Sequence, residues 1–354
     1  MDKFILEHTQ YSLNNIENIR NNINIFFKLI LNSEGEPNIQ EIYRETINKI
    51  FIIDLYTNWE QFIKKSIRHI YDDYKNILLQ EPSLIRRIFN DKIKKARDIK
   101  LDENGAIDFK KLLTNSNNMK FLALREIISS IGLNTNYLSE DLKEDKGLSD
   151  SIKQLKGTGI SFMQDQDTTQ SEPSDISNII YTIVELRNEY AHTGKSNTSF
   201  FNECQMDTYC TFFEKLISRI SIFLSNELKK IIFEYYSTFD KSIKLEITDI
   251  IRENTRTSLS ALKISSNRVI KNPKAYYSFL QEEIICIDNK SVYKYYPANL
   301  SKIENLEEIE IDTITKGEQF ILLDTQFKIR RSKNCKLTIY LFKHKKDYAH
   351  IKFG

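Results

Sequence analysis

The segment VELRNEYAHTGK, residues 184–195, places a guanidinium (Arg187), a carboxamide (Asn188) and an imidazole (His192) within six positions. A guanidinium pairs with anions, and an imidazole moves protons near neutral pH. The three groups are either an ordinary solvated helix end or a set brought together to do chemistry. What precedes them bears on the choice. Ile176, Ile179, Ile180, Ile183 and Val184 fall at i, i+3, i+4, i+7 and i+8, the apolar face of a helix that Ser174 or Asp175 would cap. The next member of that series is Arg187. A guanidinium on a core-facing stripe is costly unless it is paired and hydrogen-bonded, so it requires a partner.

An earlier segment, IDLYTNWEQFIKKSIRHI (residues 53–70), offers one. Ile53, Tyr56, Ile63 and Ile67 share a helical stripe that also contains Glu60, with Asp54, Asn58, Gln61, Lys65 and Arg68 on the opposite side. Helical geometry therefore suggests that Glu60 and Arg187 approach each other. His192 presents a different problem. It lies five residues after Arg187, roughly 140° further round a regular helix. The two would converge if the helix ended or kinked near Ala191, where Gly194 favours a stop, or if a second chain contributed to the site.

The remaining chain must build the scaffold for these residues. It has 354 residues, with 40% hydrophobic and 11% aromatic, enough for a sizeable core. Lys and Arg number 51 against 49 Asp and Glu, so there is no global basic field and any nucleic-acid contact is a local patch. The N-terminus lacks the apolar run of a signal peptide, and no window has the roughly 18 apolar residues of a membrane span. A soluble cytoplasmic protein without membrane contact is the expectation. Cys204, Cys210, Cys286 and Cys335 form no CxxC pair and read as small apolar core residues. His8 and His69 read as structural or solvated, and His344 and His350 have no partners at metal-ligand spacing.

Helical periodicity runs through residues 8–31, from Ile39 to about Tyr74, from EPSLIRRIF at 81 onward, in short pieces between 106 and 156, and from about 204 to 236. Residues 156–175 carry loop composition. Residues 242–264 still permit helix, and from about 283 short alternating runs such as EIEID and KLTIYLF, separated by turn signals, read as a small antiparallel sheet. The expected fold class is α+β: a helical domain over 1–235, a helical connector over 236–282 and a small β-rich module over 283–354. The last contains Lys328, Arg330, Arg331, Lys333, Lys336, Lys343, Lys345 and Lys346 interleaved with Phe327, Tyr340, Phe342 and Tyr348. Such a set either contacts RNA or protects sheet edges on a solvated face.

LRNEYAH resembles the R-x4-H signature of HEPN domains, in the form where Asn follows the Arg, and LYTNWEQFIKKSI resembles the aromatic-plus-acid helix of HEPN branches in bacterial defence and toxin systems. The resemblance extends to about residue 235. It implies a helical HEPN-like bundle and a metal-independent endoribonuclease, commonly a homodimer, with RNA as substrate, no cofactor and no bound metal. Under it Arg187 would hold the scissile phosphate, His192 would transfer the proton, Asn188 would orient the histidine or the phosphate, and Glu60 would fix the arginine. Attack by the 2′-oxygen would leave a 2′,3′-cyclic phosphate. A toxin or antiviral effector of this kind would be held in check by an antitoxin or a defence-system partner. The alternative is a catalytically inactive HEPN-fold binding or scaffold protein, in which the charged pair only holds the fold.

Overall fold

The computed structural model describes residues 3–32, 37–78, 118–166, 174–195, 200–239, 242–252, 259–285, 291–324 and 335–342. The helices are α1 (Lys3–Asn32), α2 (Pro37–Leu78), α3 (Phe121–Ser130), α4 (Leu138–Glu144), α5 (Lys146–Gly157), α6 (Ser174–Thr193) and α7 (Glu203–Phe239). Ser174 and Asp175 are the first residues of α6 rather than its cap. The helix expected from residue 81 onward, and the part of the 106–156 region before Asn118, lie outside the described residues. Among the described residues no helix is long and apolar enough to cross a membrane.

The chain divides into two compact units, Phe4–Leu224 and, with the first three residues, Ser225–Gly354. The division falls inside α7, so that helix contributes side chains to both. In the first unit the stripe of α6 is buried from Ile176 to Val184, as are Leu55, Tyr56, Trp59, Phe62 and Ile63 of α2 and Phe212, Phe213 and Leu216 of α7. The Trp59 and Phe213 rings meet edge to face at 5.8 Å. Polar ties fix α1 to its neighbours: Thr9 and Ser221 hydroxyls lie 2.6 Å apart, and Arg20 binds Asp207 at 2.6 Å and Glu214 at 2.8 Å. Asn58, expected on the polar side of α2, is buried instead, where its Nδ2 donates to the Ser12 carbonyl at 3.0 Å and its Oδ1 accepts from Asn15. A carboxamide can enter the interior once its donors and acceptors are matched.

Among its described residues the second unit shows no helical connector. Residues 236–282 hold the end of α7 and then strands β1 (Ile243–Arg252), β2 (Leu259–Ser266), β3 (Ile270–Lys271) and most of β4 (Tyr277–Ile285). With β5 (Ser291–Glu304), β7 (Gly317–Asp324) and β8 (Cys335–Phe342), they close an antiparallel barrel in the order β1-β2-β7-β5-β4-β8, β8 returning to β1; β3 pairs separately with β6 (Thr313–Ile314). The expected helix across 242–264 fails for a specific reason. Ile243, Leu245 and Ile247 alternate, but register shifts between Ile247 and Asp249 and between Ile250 and Arg252 put the next buried residue at Ile250. A bulge thus converts a period of two into a spacing that mimics a helix. EIEID is not a strand either. Asn305 Oδ1 accepts from the N–H groups of Glu307 and Ile309, an Asx turn that folds this segment back on the end of β5, where it pairs only through the isolated bridge of Glu310 to Glu304.

The barrel interior is aliphatic, with Leu262, Ile264, Leu280, Ile303, Ile321, Ile339 and Leu341 buried together. The alternate residues Phe279, Tyr295, Tyr340 and Phe342 surround Phe233 of α7, which stacks on Tyr295 at 4.3 Å and meets Tyr340 edge-on at 5.0 Å. Removing that ring leaves a hole bordered by four aromatic side chains. Phe233→Ala is expected to destabilise this unit by about 3–5 kcal/mol. Urea unfolding followed by tyrosine near-UV circular dichroism measures this, and a midpoint equal to that of the native chain would show that the helix end is not needed by the barrel.

Candidate active site

The site is assembled from α2, the short segment before α3, and α6, all in the first unit. Tyr56 and Trp59 lie almost one turn apart on α2 and are each about 1% exposed. Trp59 Nε1–H donates to the Met119 carbonyl at 2.9 Å, and the Met119 N–H donates to the Tyr56 hydroxyl at 3.2 Å. Two aromatic side chains thus satisfy both backbone groups of Met119, as a buried peptide requires. The Tyr56 hydroxyl in turn donates to Glu60 Oε1 at 3.2 Å, and Lys64 Nζ reaches the same oxygen at 3.0 Å.

Arg187 enters this arrangement from α6. Its guanidinium carbon stands 5.0 Å from the centre of the Tyr56 ring, and Nη1 donates to Asn188 Oδ1 at 3.1 Å. Glu60 and Arg187 therefore converge on Tyr56 instead of pairing directly. Among the described residues no carboxylate makes an ion pair with Arg187. Glu60 is engaged within its own helix by Tyr56 at i−4 and Lys64 at i+4, the spacing at which helical side chains meet. The Tyr56 phenol is pushed up to about 12, mainly by burial; the Met119 N–H and Arg187 oppose the shift and Glu60 adds to it.

His192 occupies the last turn of α6, exposed to solvent. The helix is continuous through Ala191 and ends just beyond His192, near the expected stop. It runs to Thr193, and Gly194 (φ 72°) closes it by donating its N–H to the Tyr190 carbonyl at 3.1 Å. A left-handed residue bonding back in this way is the stop that glycine permits. Within one chain Arg187 and His192 thus point to different faces. Asn188 links them: it receives Arg187 Nη1 and lies four residues before His192, on the same stripe of the helix. Tyr190 is buried within its own chain and Ala191 is exposed.

Lys120, directly after Met119, lies 4.4 Å above the Tyr181 ring and 3.7 Å from Glu185. Tyr181, Glu185, Asn188 and His192 fall at i, i+4, i+7 and i+11, so this lysine stands on the stripe that carries the histidine. Lys64 and Tyr56 were each legible as i, i+4 partners of Glu60. Lys120 had no sequence signal, because only the Met119 anchor brings it to α6. A cleft of about 580 Å³ borders the end of α6 at Gly194 and Lys195 and is otherwise lined by Glu45, Thr46, Lys49, Ile50, Ile53 and Asp54 of α2. Burial raises the Asp54 carboxyl. Arg187, Asn188 and Glu60 do not line this cleft.

A family model described as RiboL-PSP-HEPN matches residues 14–226. The chain belongs to this HEPN family. Comparison with curated proteins finds no match. The matched region contains Tyr56, Glu60, Arg187, Asn188 and His192 and stops within α7, so the barrel lies beyond the HEPN domain. Among the described residues, no group of three or more His, Cys, Asp or Glu side chains is placed to hold a metal ion. Cys210 is buried, its thiol pushed up to about 12 chiefly by burial, whereas Cys204 is exposed at the start of α7 and is not a core residue. Of the C-terminal basic run, Lys336 is exposed, but Phe342 and Tyr340 pack on Phe233; Lys328, Arg330, Arg331, Lys333, Lys343, Lys345, Lys346, His344 and His350 lie outside the described residues.

The partial exposure of Glu60, 19% for its side chain, sets the cost of removing it. Glu60→Ala deletes one hydrogen bond and one partly exposed ion pair, but it does not strand an arginine paired to it. We expect a loss of about 1–2 kcal/mol, below the 3–5 kcal/mol of a broken buried pair. Chemical denaturation of the two proteins decides it, and a loss above about 3 kcal/mol would mean that Glu60 supports Arg187 directly.

Proposed function

We propose that the HEPN domain is a metal-independent endoribonuclease. The observation that carries this is the state of Arg187. It is a guanidinium drawn into the edge of the core, held by a ring face and a carboxamide, with no carboxylate paired to it among the described residues. A cation kept in that state suits a phosphodiester. In the reaction, the 2′-oxygen of the substrate attacks the adjacent phosphorus as its proton passes to His192, and the P–O5′ bond breaks. A proton is then delivered to the departing 5′-oxygen, and the phosphate is left as a 2′,3′-cyclic ester. Arg187 stabilises the charge that develops on the non-bridging oxygens. Asn188, between the two groups, orients the phosphate relative to the imidazole. Glu60 acts at a distance, through Tyr56.

Incubation of the purified protein with total RNA in EDTA, followed by end mapping, tests this. Cleavage is expected to persist and to leave cyclic phosphate and 5′-hydroxyl ends. Cleavage that requires Mg²⁺ and leaves 5′-phosphates would sink the proposal. His192→Ala should reduce kcat by about 10²–10⁴ with no change in melting temperature, given that the side chain is exposed. A folded protein that cuts no RNA would favour a binding or scaffold role.

The opposed directions of Arg187 and His192 also support a composite site, in which a second copy presents its motif helix across a two-fold axis. Arg187→Ala and His192→Ala chains, each inactive alone, should then recover activity when mixed and allowed to exchange. Such recovery would not occur if one chain held a complete site.

A further inference from the structure

A guanidinium near a core normally finds a carboxylate, and Glu60 sits on the facing helix to provide one. The structure does otherwise. Glu60 is engaged by the Tyr56 hydroxyl and by Lys64, and Arg187 rests against the face of Tyr56. The difference matters for an anion-binding group. A carboxylate would neutralise the charge and occupy the N–H fork that a phosphate needs. An aromatic face stabilises the cation through its quadrupole and leaves the donors in place. Only Nη1 is engaged by a protein acceptor among the described residues, the Asn188 carboxamide.

The ring that does this is fixed. It is about 1% exposed, and its hydroxyl both accepts from Met119 and donates to Glu60. Trp59 holds the other side of the same peptide through the Met119 carbonyl. The platform therefore does not depend on Arg187 for its own position. A phenol is protonated across the physiological range even at its ordinary value, and burial pushes this one further up, to about 12, so it keeps donating to Glu60.

We propose that Tyr56 is the positioning residue of Arg187, its ring face setting where the guanidinium meets the scissile phosphate while Glu60 serves the ring rather than the arginine. This rests on the reading of Arg187 as the phosphate-holding group, and two measurements on the full chain separate the two ideas.

The first is independent of catalysis. With arginine side chains isotopically labelled and Arg187 assigned from the spectrum of Arg187→Lys, its guanidinium signals should be shifted upfield by the ring current. The shift should survive in Tyr56→Phe, which keeps the ring, and vanish in Tyr56→Leu. Absence of the shift in the native chain would overturn the proposal without any variant, as would its persistence in Tyr56→Leu.

The second is kinetic. Misplacing a group that acts in the transition state should lower kcat by roughly 10–100-fold and change KM by less than about threefold in Tyr56→Leu. Tyr56→Phe should recover to within about threefold of the native rate, since phenylalanine retains the cation–π contact. Tyr56→Leu combined with Arg187→Ala should be no slower than Arg187→Ala alone, because the two act as one unit. Melting temperature and the fluorescence of Trp59, the sole tryptophan, control for the fold. A kcat per folded molecule unchanged in Tyr56→Leu would reduce Tyr56 to a core residue. If the native chain cuts no RNA while the ring-current result holds, the ribonuclease reading fails and the positioning of Arg187 by Tyr56 stands.

Discussion

The placement of one cation organises the first unit. Arg187 continues the isoleucine stripe of α6 into a position where water is scarce, and the facing surface of α2 must receive it there. A carboxylate would make the most stable partner for the charge and the least useful one for binding an anion. Tyr56 resolves this with a ring that tolerates burial and a quadrupole that favours a cation. Its hydroxyl then needs partners of its own, and Met119 N–H and Glu60 supply them. Trp59 completes the peptide that Tyr56 begins to hold. The core of the helical unit and the edge of the candidate site are therefore built from the same residues on the same turns of α2.

That economy explains which parts of the site could be read from sequence. The spacing of Ile176, Ile179, Ile180, Ile183 and Val184 exposed Arg187 as an intruder on an apolar face, and those isoleucines are buried. The stripe of α2 likewise identified Tyr56 and Glu60 as neighbours. Periodicity says which side chains share a face, but it does not say which of them takes the partner. Charge complementarity points Glu60 toward Arg187, whereas in the fold Glu60 is taken by Tyr56 and by its i+4 lysine. Asn58 shows the converse limit. Its polarity placed it outside, and only the tertiary contacts with Ser12 and Asn15 make its burial possible. Lys120 reaches the histidine stripe through a loop whose anchor is a hydrogen bond to tryptophan, a relation with no one-dimensional trace.

In the second unit the difficulty was one of register. Alternation is the signature of a half-buried strand only while the ladder is regular. The shifts in β1 break it at the point where the strand must curve, and curvature is what closes six strands into a barrel without free edges. Tyr340 and Phe342, which looked available for stacking on bases, serve instead to seat Phe233.

The opposed environments of Arg187 and His192 match what each group can tolerate. A guanidinium is weakly hydrated and stacks on aromatic faces, so it suits the position against Tyr56. An imidazole has to exchange a proton in both directions near neutral pH, and deep burial of such a group favours its neutral form. Placing His192 on the last, exposed turn of α6 keeps that exchange open, and the bond from Gly194 to Tyr190 ends the helix directly beyond it. A continuous helix can satisfy both demands only by sending the two groups to different faces. Asn188 is adjacent to both, touching Arg187 directly and standing a turn below His192. Under the proposed reaction the helix would hold an anion site on one side and a proton-transfer group on the other. The surface that brought them to a single phosphate would then come from outside that helix, and a second motif helix is the complement this proposal calls for.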